Sequence, residues 1–132
     1  MRIFKFISIV LFSFLICLLT GCVPDNKSSG TYEQITPEQA KAIMDKGLDI
    51  IILDVRTEEE FAQGHIKDAI LIPDYEIETK AESMLHNKKQ LILVYCRSGR
   101  RSKLAAQTLV DMGYTNVKEF GGIIDWKYEI II

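Results

Sequence analysis

The stretch Leu91-Ile-Leu-Val-Tyr-Cys96-Arg-Ser-Gly99-Arg-Arg-Ser102 decides how this chain folds. Its first five residues are apolar or aromatic and lie between polar segments, as expected of a central strand buried on both faces of a parallel sheet. The strand delivers the chain to one thiol, Cys96. A loop with three arginines and one glycine follows, and an amphipathic helical pattern begins at Ser102. Leu104, Ala105, Leu109 and Met112 form the inward stripe of that helix, and Gly113 caps it. A thiol between a strand end and a helix start is well placed to be a thiolate. The helix N-terminus offers unpaired N–H groups and the positive end of its dipole. Successive loop N–H groups make an anion nest, helped by the freedom of Gly99 to take positive φ. Cys96 is therefore the candidate nucleophile. Arg97, Ser98, Gly99, Arg100, Arg101 and Ser102 form the candidate anion-binding loop.

Outward from this stretch, strands and helices alternate. Residues 32–35 form a short strand. Thr36 is then a helix N-cap with Pro37 at N1, Ala40, Ile43 and Met44 make an apolar stripe, and Gly47 ends the helix. Residues 50–53 form a second continuous apolar strand, closed by Asp54-Val-Arg56. Thr57 and Glu60 have capping-box spacing and open a short helix stopped by Gly64. Residues 69–72 form a strand ended by Pro73. Residues 76–87 form a helix with Ile77, Ala81, Met84 and Leu85 inward. Residues 116–120 form a last strand, Gly121-Gly122 turns the chain, and residues 123–128 form a final helix. Such alternation predicts an α/β sandwich around a mainly parallel sheet. Ligands of such sheets sit at the carboxyl ends of the strands, the edge that holds Asp54, Pro73, Cys96 and Gly121.

The N-terminus reads as an address. Residues 1–6 carry Arg2 and Lys5, and residues 7–19 are apolar apart from Ser8 and Ser13. These are the n- and h-regions of a secretory signal. Leu19-Thr20-Gly21-Cys22 resembles the lipobox of bacterial lipoproteins, in which the cysteine is lipidated and becomes the mature N-terminus. The resemblance implies a signal peptide over residues 1–21, a polar tether over residues 22–30 starting at lipidated Cys22, and a folded domain over residues 31–132. It also implies an extracytoplasmic location on a membrane surface. An uncleaved anchor with an incidental cysteine would give the same placement. Cys17 would leave with the signal and Cys22 would be acylated, so Cys96 would be the lone free thiol of the mature chain.

Without residues 1–21, 14 basic residues face 18 acidic ones, a formal charge of −4. An acidic domain is a poor candidate for nucleic-acid binding, so no such partner is expected. The cysteines have no metal-site spacing and His65 and His86 add little, so neither a metal nor a cofactor is expected.

Cys96-Arg-Ser-Gly-Arg-Arg-Ser102 resembles the active-site loop of single-domain rhodanese sulfurtransferases. The likeness extends over about residues 32–128. It takes in Asp54-Val-Arg56, Glu60-Phe61, Gly64-His65-Ile66, Ala69 and Ile72-Pro73, then Gly113-Tyr114, Val117, Gly121-Gly122 and Trp126. It departs at Lys67-Asp68, where the family often has proline-glycine, and after Trp126, where the usual glycine-x-proline is missing. The resemblance implies a rhodanese-like three-layer α/β/α sandwich with about five strands. It also implies transfer of a sulfane sulfur from a thiosulfate-like anion, through a Cys96 persulfide, to cyanide or a thiol. A thiol reductant protein is an expected partner for a lone thiol outside the cytoplasm.

Two other functions compete. A related fold carries the cell-cycle tyrosine phosphatases, whose loop is C-x5-R. Here Arg100 and Arg101 stand at +4 and +5 from Cys96, and the shorter loop suits a sulfur atom better than a phosphate. A sulfur carrier or partner-binding module would also keep the cysteine. Asp54 and Arg56 read as structural support at a strand end, His65 as a packing residue, His86 as a solvated helix residue and Trp126 as core.

Overall fold

A computed structural model of the protein describes residues 30–132. The expected signal peptide, Cys17, Cys22 and nearly all of the tether lie outside the described residues. In chain order the elements are β1 (Glu33–Gln34), α1 (Pro37–Met44), β2 (Ile50–Asp54), α2 (Glu58–Gln63), β3 (His65–Ile66), β4 (Ile70–Leu71), α3 (Ile77–Met84), β5 (Leu91–Cys96), α4 (Arg100–Asp111), β6 (Val117–Gly122) and β7 (Ile130–Ile131). Five strands form one sheet in the order β1-β6-β5-β2-β4, and every pairing in it is parallel. β5 is central, and its apolar run explains why. Ile92, Leu93, Val94 and Tyr95 are wholly buried, and Cys96 is 1% exposed.

The period-two alternation of a strand sorts these residues between two cores. Ile92, Val94 and Cys96 pack with Ile77 and Ala81 of α3 and with Ala105, Ala106 and Leu109 of α4. Leu93 and Tyr95 face the other way, onto Ala40 of α1, Ile66, Phe120 and Trp126. The result is the α/β sandwich that the alternation of elements predicts, with helices on both faces of the sheet as the resemblance implies. The capping box predicted at Thr57 forms, and the Thr36 N-cap proves to be one as well. Thr36 exchanges hydrogen bonds with Gln39, and Thr57 with Glu60.

Several details depart from the sequence reading. Met84 and Leu104 are exposed by 41% and 62%, although their spacing suggested inward positions. Of the other residues read as inward, Ile77, Ala81, Leu85, Ala105 and Leu109 are buried, and Ala106 joins them. α4 begins at Arg100 rather than Ser102, which draws two of the loop arginines into its first turn. His86 is exposed but lies beyond the end of α3. Gly121 and Gly122 end β6 instead of forming a separate turn.

The predicted final helix shrinks to one 3-10 turn at Ile123–Asp125. Ile130–Ile131 then pairs antiparallel with His65–Ile66. β-Branched isoleucines favour that extended pairing over a helix. The turn at Lys67-Asp68 survives its unusual residues. Asp68 takes a left-handed φ of 64°, which aspartate tolerates better than most residues, and the Ala69 N–H donates to the Ile66 carbonyl at 3.0 Å.

Candidate active site

The site is built where β5 ends. Gly99 adopts φ 100°, a left-handed conformation that swings the chain from the strand into α4. This brings the Gly99 N–H to 3.0 Å from the Cys96 Sγ as a donor. Ser102, wholly buried in the first turn of α4, places its Oγ 3.4 Å from the same sulfur. Burial pushes the Cys96 thiol up. Hydrogen bonding by Ser102 and by the backbone N–H groups of Gly99 and Ser98 pushes it down, and the net position lies below an ordinary thiol. The donors that favour the thiolate are thus mostly main-chain groups and not arginines.

The three arginines have separate fates. Arg97 and Arg100 are exposed at the rim. Arg101 turns away from the sulfur and makes two 2.8 Å hydrogen bonds with the Glu60 carboxylate. Glu60 also closes the capping box of α2, so one carboxylate fastens the start of α4 to the start of α2. Arg101 is therefore an ordering residue for the loop.

The bidentate pair makes a pH prediction. The Arg101 guanidinium, chiefly through its hydrogen bonds, pulls the Glu60 carboxyl from 4.5 down to about 2. A carboxyl depressed on folding stabilises the native state where it is ionised. That contribution is whole above pH 4.5 and is lost as pH falls through 2. Arg101→Met should therefore lower stability at pH 7 by about 1–2 kcal/mol, a figure reduced for partial exposure. It should have little effect near pH 2, and urea unfolding at the two pH values checks the difference.

Asp54 and Arg56 lie at the neighbouring strand end, 0% and 5% exposed. Arg56 Nε and Nη2 donate to the Asp54 carboxylate at 3.0 and 2.7 Å, and Nη2 also donates to the Gly64 carbonyl at 2.7 Å. They lock the β2 end to the turn before β3. His65 stacks on Phe61 with centroids 3.7 Å apart, a packing arrangement. Trp126 is 9% exposed among Phe120 and Tyr128. Two cavities of about 440 and 500 Å³ border the domain, and Cys96 lines neither.

Two contributors escaped the sequence reading. Glu119 is 2% exposed, and its Oε1 accepts from Ser102 Oγ at 2.6 Å and from the Gly121 N–H at 2.8 Å. The available signal was its place two residues after Val117 in a strand, on the same inward face. Gly122 is the other. A Cβ there would lie 2.0 Å from the Arg97 carbonyl oxygen, so the loop rests directly on the β6 backbone.

Comparison with known proteins agrees with this architecture. Residues 36–129 match the model of the rhodanese-like domain. The chain is 38% identical over 73 residues to the thiosulfate sulfurtransferase PspE of Escherichia coli K12, covering 55% of this chain and 70% of that protein. It is 33% identical over 110 residues to the putative sulfur carrier protein YrkF of Bacillus subtilis 168. That match covers 83% of this chain but spans only 58% of the relative's length. A solved rhodanese with anions from E. coli superposes with a TM-score of 0.58 at 34% identity, covering 61% of this chain and 95% of that one. With a strand-loop-helix holding a hydrogen-bonded thiol at the carboxyl edge of a parallel sheet, and with the family match spanning nearly all the folded residues, the chain belongs to the rhodanese-like domain family.

Proposed function

We propose that the protein is a sulfurtransferase that carries sulfane sulfur on Cys96. The observation that carries this reading is the Cys96 sulfur seated against the Gly99 N–H at the start of α4. The thiolate attacks the outer sulfur of a thiosulfate-like anion. A bond forms between Cys96 Sγ and that sulfur, the donor S–S bond breaks, and sulfite leaves with the electron pair. The charged outer sulfur of the persulfide then lies against the loop amides, where fixed donors favour negative charge without reorganisation. Cyanide or a thiolate attacks the outer sulfur, and Cys96 leaves as thiolate. PspE bears the name of this activity, and its likeness supports the reading.

The purified protein should form thiocyanate from thiosulfate and cyanide and should leave phosphoesters intact. Turnover of a phosphoester without thiosulfate turnover would instead favour the phosphatase reading. Phosphatase chemistry is further disfavoured because Arg101, the arginine next to the phosphatase position at +6, is already held by Glu60. A stable persulfide without turnover would favour a carrier, the role that the name of the Bacillus relative gives that protein.

The lipobox-like Leu19-Thr-Gly-Cys22 and the apolar run before it support a second element of the proposal, an extracytoplasmic protein anchored through lipid on Cys22. A thiol reductant would then be its partner in keeping Cys96 reduced. Cys22→Ala should move the protein from the membrane fraction to the soluble fraction. Unchanged membrane attachment on fractionation would rule the lipid anchor out.

A further inference from the structure

The Ser102 hydroxyl has one proton and more than one claimant. Its Oγ lies 2.6 Å from Glu119 Oε1, 3.0 Å from the Gly99 carbonyl, and 3.4 Å from both the Gly121 carbonyl and the Cys96 Sγ. A proton shared among such acceptors goes to the closest and most charged one. That acceptor is Glu119. The carboxylate is itself fixed by the Gly121 N–H, and both Ser102 and Glu119 are buried, so water does not relieve the competition. With the proton held there, Ser102 presents lone pairs to Cys96, an arrangement that suits an S–H donor and not a thiolate.

We propose that Glu119 is a positioning residue that holds the Ser102 proton away from Cys96 and so disfavours the bare thiolate. The inference rests on reading Cys96 as the sulfur-accepting nucleophile. When Cys96 ionises, its proton leaves to solvent, and the Ser102 O–H must rotate from Glu119 toward the sulfur or leave it short of one donor. In the persulfide, Sγ is neutral and the charge sits on the outer sulfur, so the Ser102–Glu119 bond is kept. The pair thus favours the two states in which Sγ is uncharged, thiol and persulfide, over the state most open to oxidation and alkylation. Loading is made more favourable at the expense of the empty, reactive form.

The test is the pH dependence of Cys96 alkylation by iodoacetamide in the reduced, full-length protein, which reads the thiol whether or not sulfur is turned over. Other charged groups nearby are Arg101, Asp74, Arg97 and Arg100 around Cys96. Around the cavity beside Glu119 they are Lys103, Glu38, Asp125 and Lys127. All of these stay constant across the variants. Glu119→Gln keeps one oxygen as the acceptor from both the Gly121 N–H and the Ser102 hydroxyl but removes its charge, which loosens its hold on the hydroxyl proton and frees it to turn to the sulfur. Its alkylation midpoint should fall by about one pH unit, a tenfold gain in thiolate fraction near neutrality.

Ser102→Ala should leave the midpoint near that of wild type, because the hydroxyl gives the wild-type thiolate little. Adding Ser102→Ala to Glu119→Gln should cancel the fall. An unmoved or raised midpoint in Glu119→Gln overturns the proposal. So does an equal fall with and without Ser102, which would assign the effect to through-space charge. Should Glu119→Gln fail to fold, Ser102→Ala alone decides, since a midpoint raised by about one pH unit would show that the hydroxyl already serves the thiolate. A protein that fails to turn over thiosulfate yet shows the predicted midpoints sinks the sulfurtransferase reading and leaves this one standing.

Discussion

Cys96→Ser should abolish thiocyanate formation, with a loss of more than about a thousandfold, while the protein folds as before. The substitution exchanges one buried atom for a smaller one at a position only 1% exposed, so packing changes little. Chemistry changes completely. A serine hydroxyl is scarcely ionised near neutral pH, and it offers no sulfur on which a persulfide can form. The donors around it, including the Gly99 N–H at 3.0 Å, stay in place and still attract an anion. The variant should therefore bind thiosulfate and fail to turn it over. After incubation with the donor, mass spectrometry should find one added sulfur atom on the wild-type protein and none on the variant. Residual turnover within tenfold of wild type would place the chemistry on another group.

Gly122→Ala carries the second large effect, and its cause is steric. The added carbon would lie 2.0 Å from the Arg97 carbonyl oxygen, 2.5 Å from the Arg97 carbonyl carbon and 2.5 Å from the Ser98 Cα. All three are backbone atoms of the loop, and ordinary contacts of this kind lie near 3.5 Å. The loop must therefore lift by an ångström or more, which moves the Ser98 and Gly99 N–H groups away from Cys96. We expect a stability loss of about 2–4 kcal/mol and at least about a hundredfold lower turnover. Gly47→Ala separates the two consequences. Gly47 has φ 66° with nothing near its missing Cβ, so alanine there costs backbone strain of about 1 kcal/mol and leaves turnover intact. Chemical denaturation and the thiocyanate assay, run on both variants, check the contrast.

The contrast also shows what a sequence can and cannot disclose. Cys96, the strand before it and the helix after it were legible, because burial and periodicity leave local marks. The N-cap at Thr36 and the capping box at Thr57 were legible for the same reason. Arg101 read equally as a loop-ordering or an anion-binding residue, because its partner, Glu60, lies 41 residues away and has a local explanation of its own as a capping residue. Gly121-Gly122 looked like a turn because paired glycines usually are one. Their role as the surface beneath another loop exists only once β5 and β6 lie side by side, with Cys96 opposite Gly122. Met84 and Leu104 show a smaller error. A helical stripe counted from the sequence took in one flanking position too many in each helix, because the buried face was already filled by Leu85 in one and by Ala105 and Ala106 in the other. The strand at the Ile-rich end of the chain went unread because its extended form depends on a distant partner, His65–Ile66.

The central place of β5 bears on how the site fluctuates. Its neighbours β2 and β6 cover it on both sides, while the two-residue strands β1 and β4 form the margins of the sheet. Short marginal strands open at low free-energy cost, and a middle strand exchanges its amide hydrogens only through much larger unfolding events. The amides of Ile92–Tyr95 should thus be among the slowest to take up deuterium. The nucleophile hangs from the end of the quietest strand in the molecule, and the loop that cradles it needs no ordering each time a sulfur arrives.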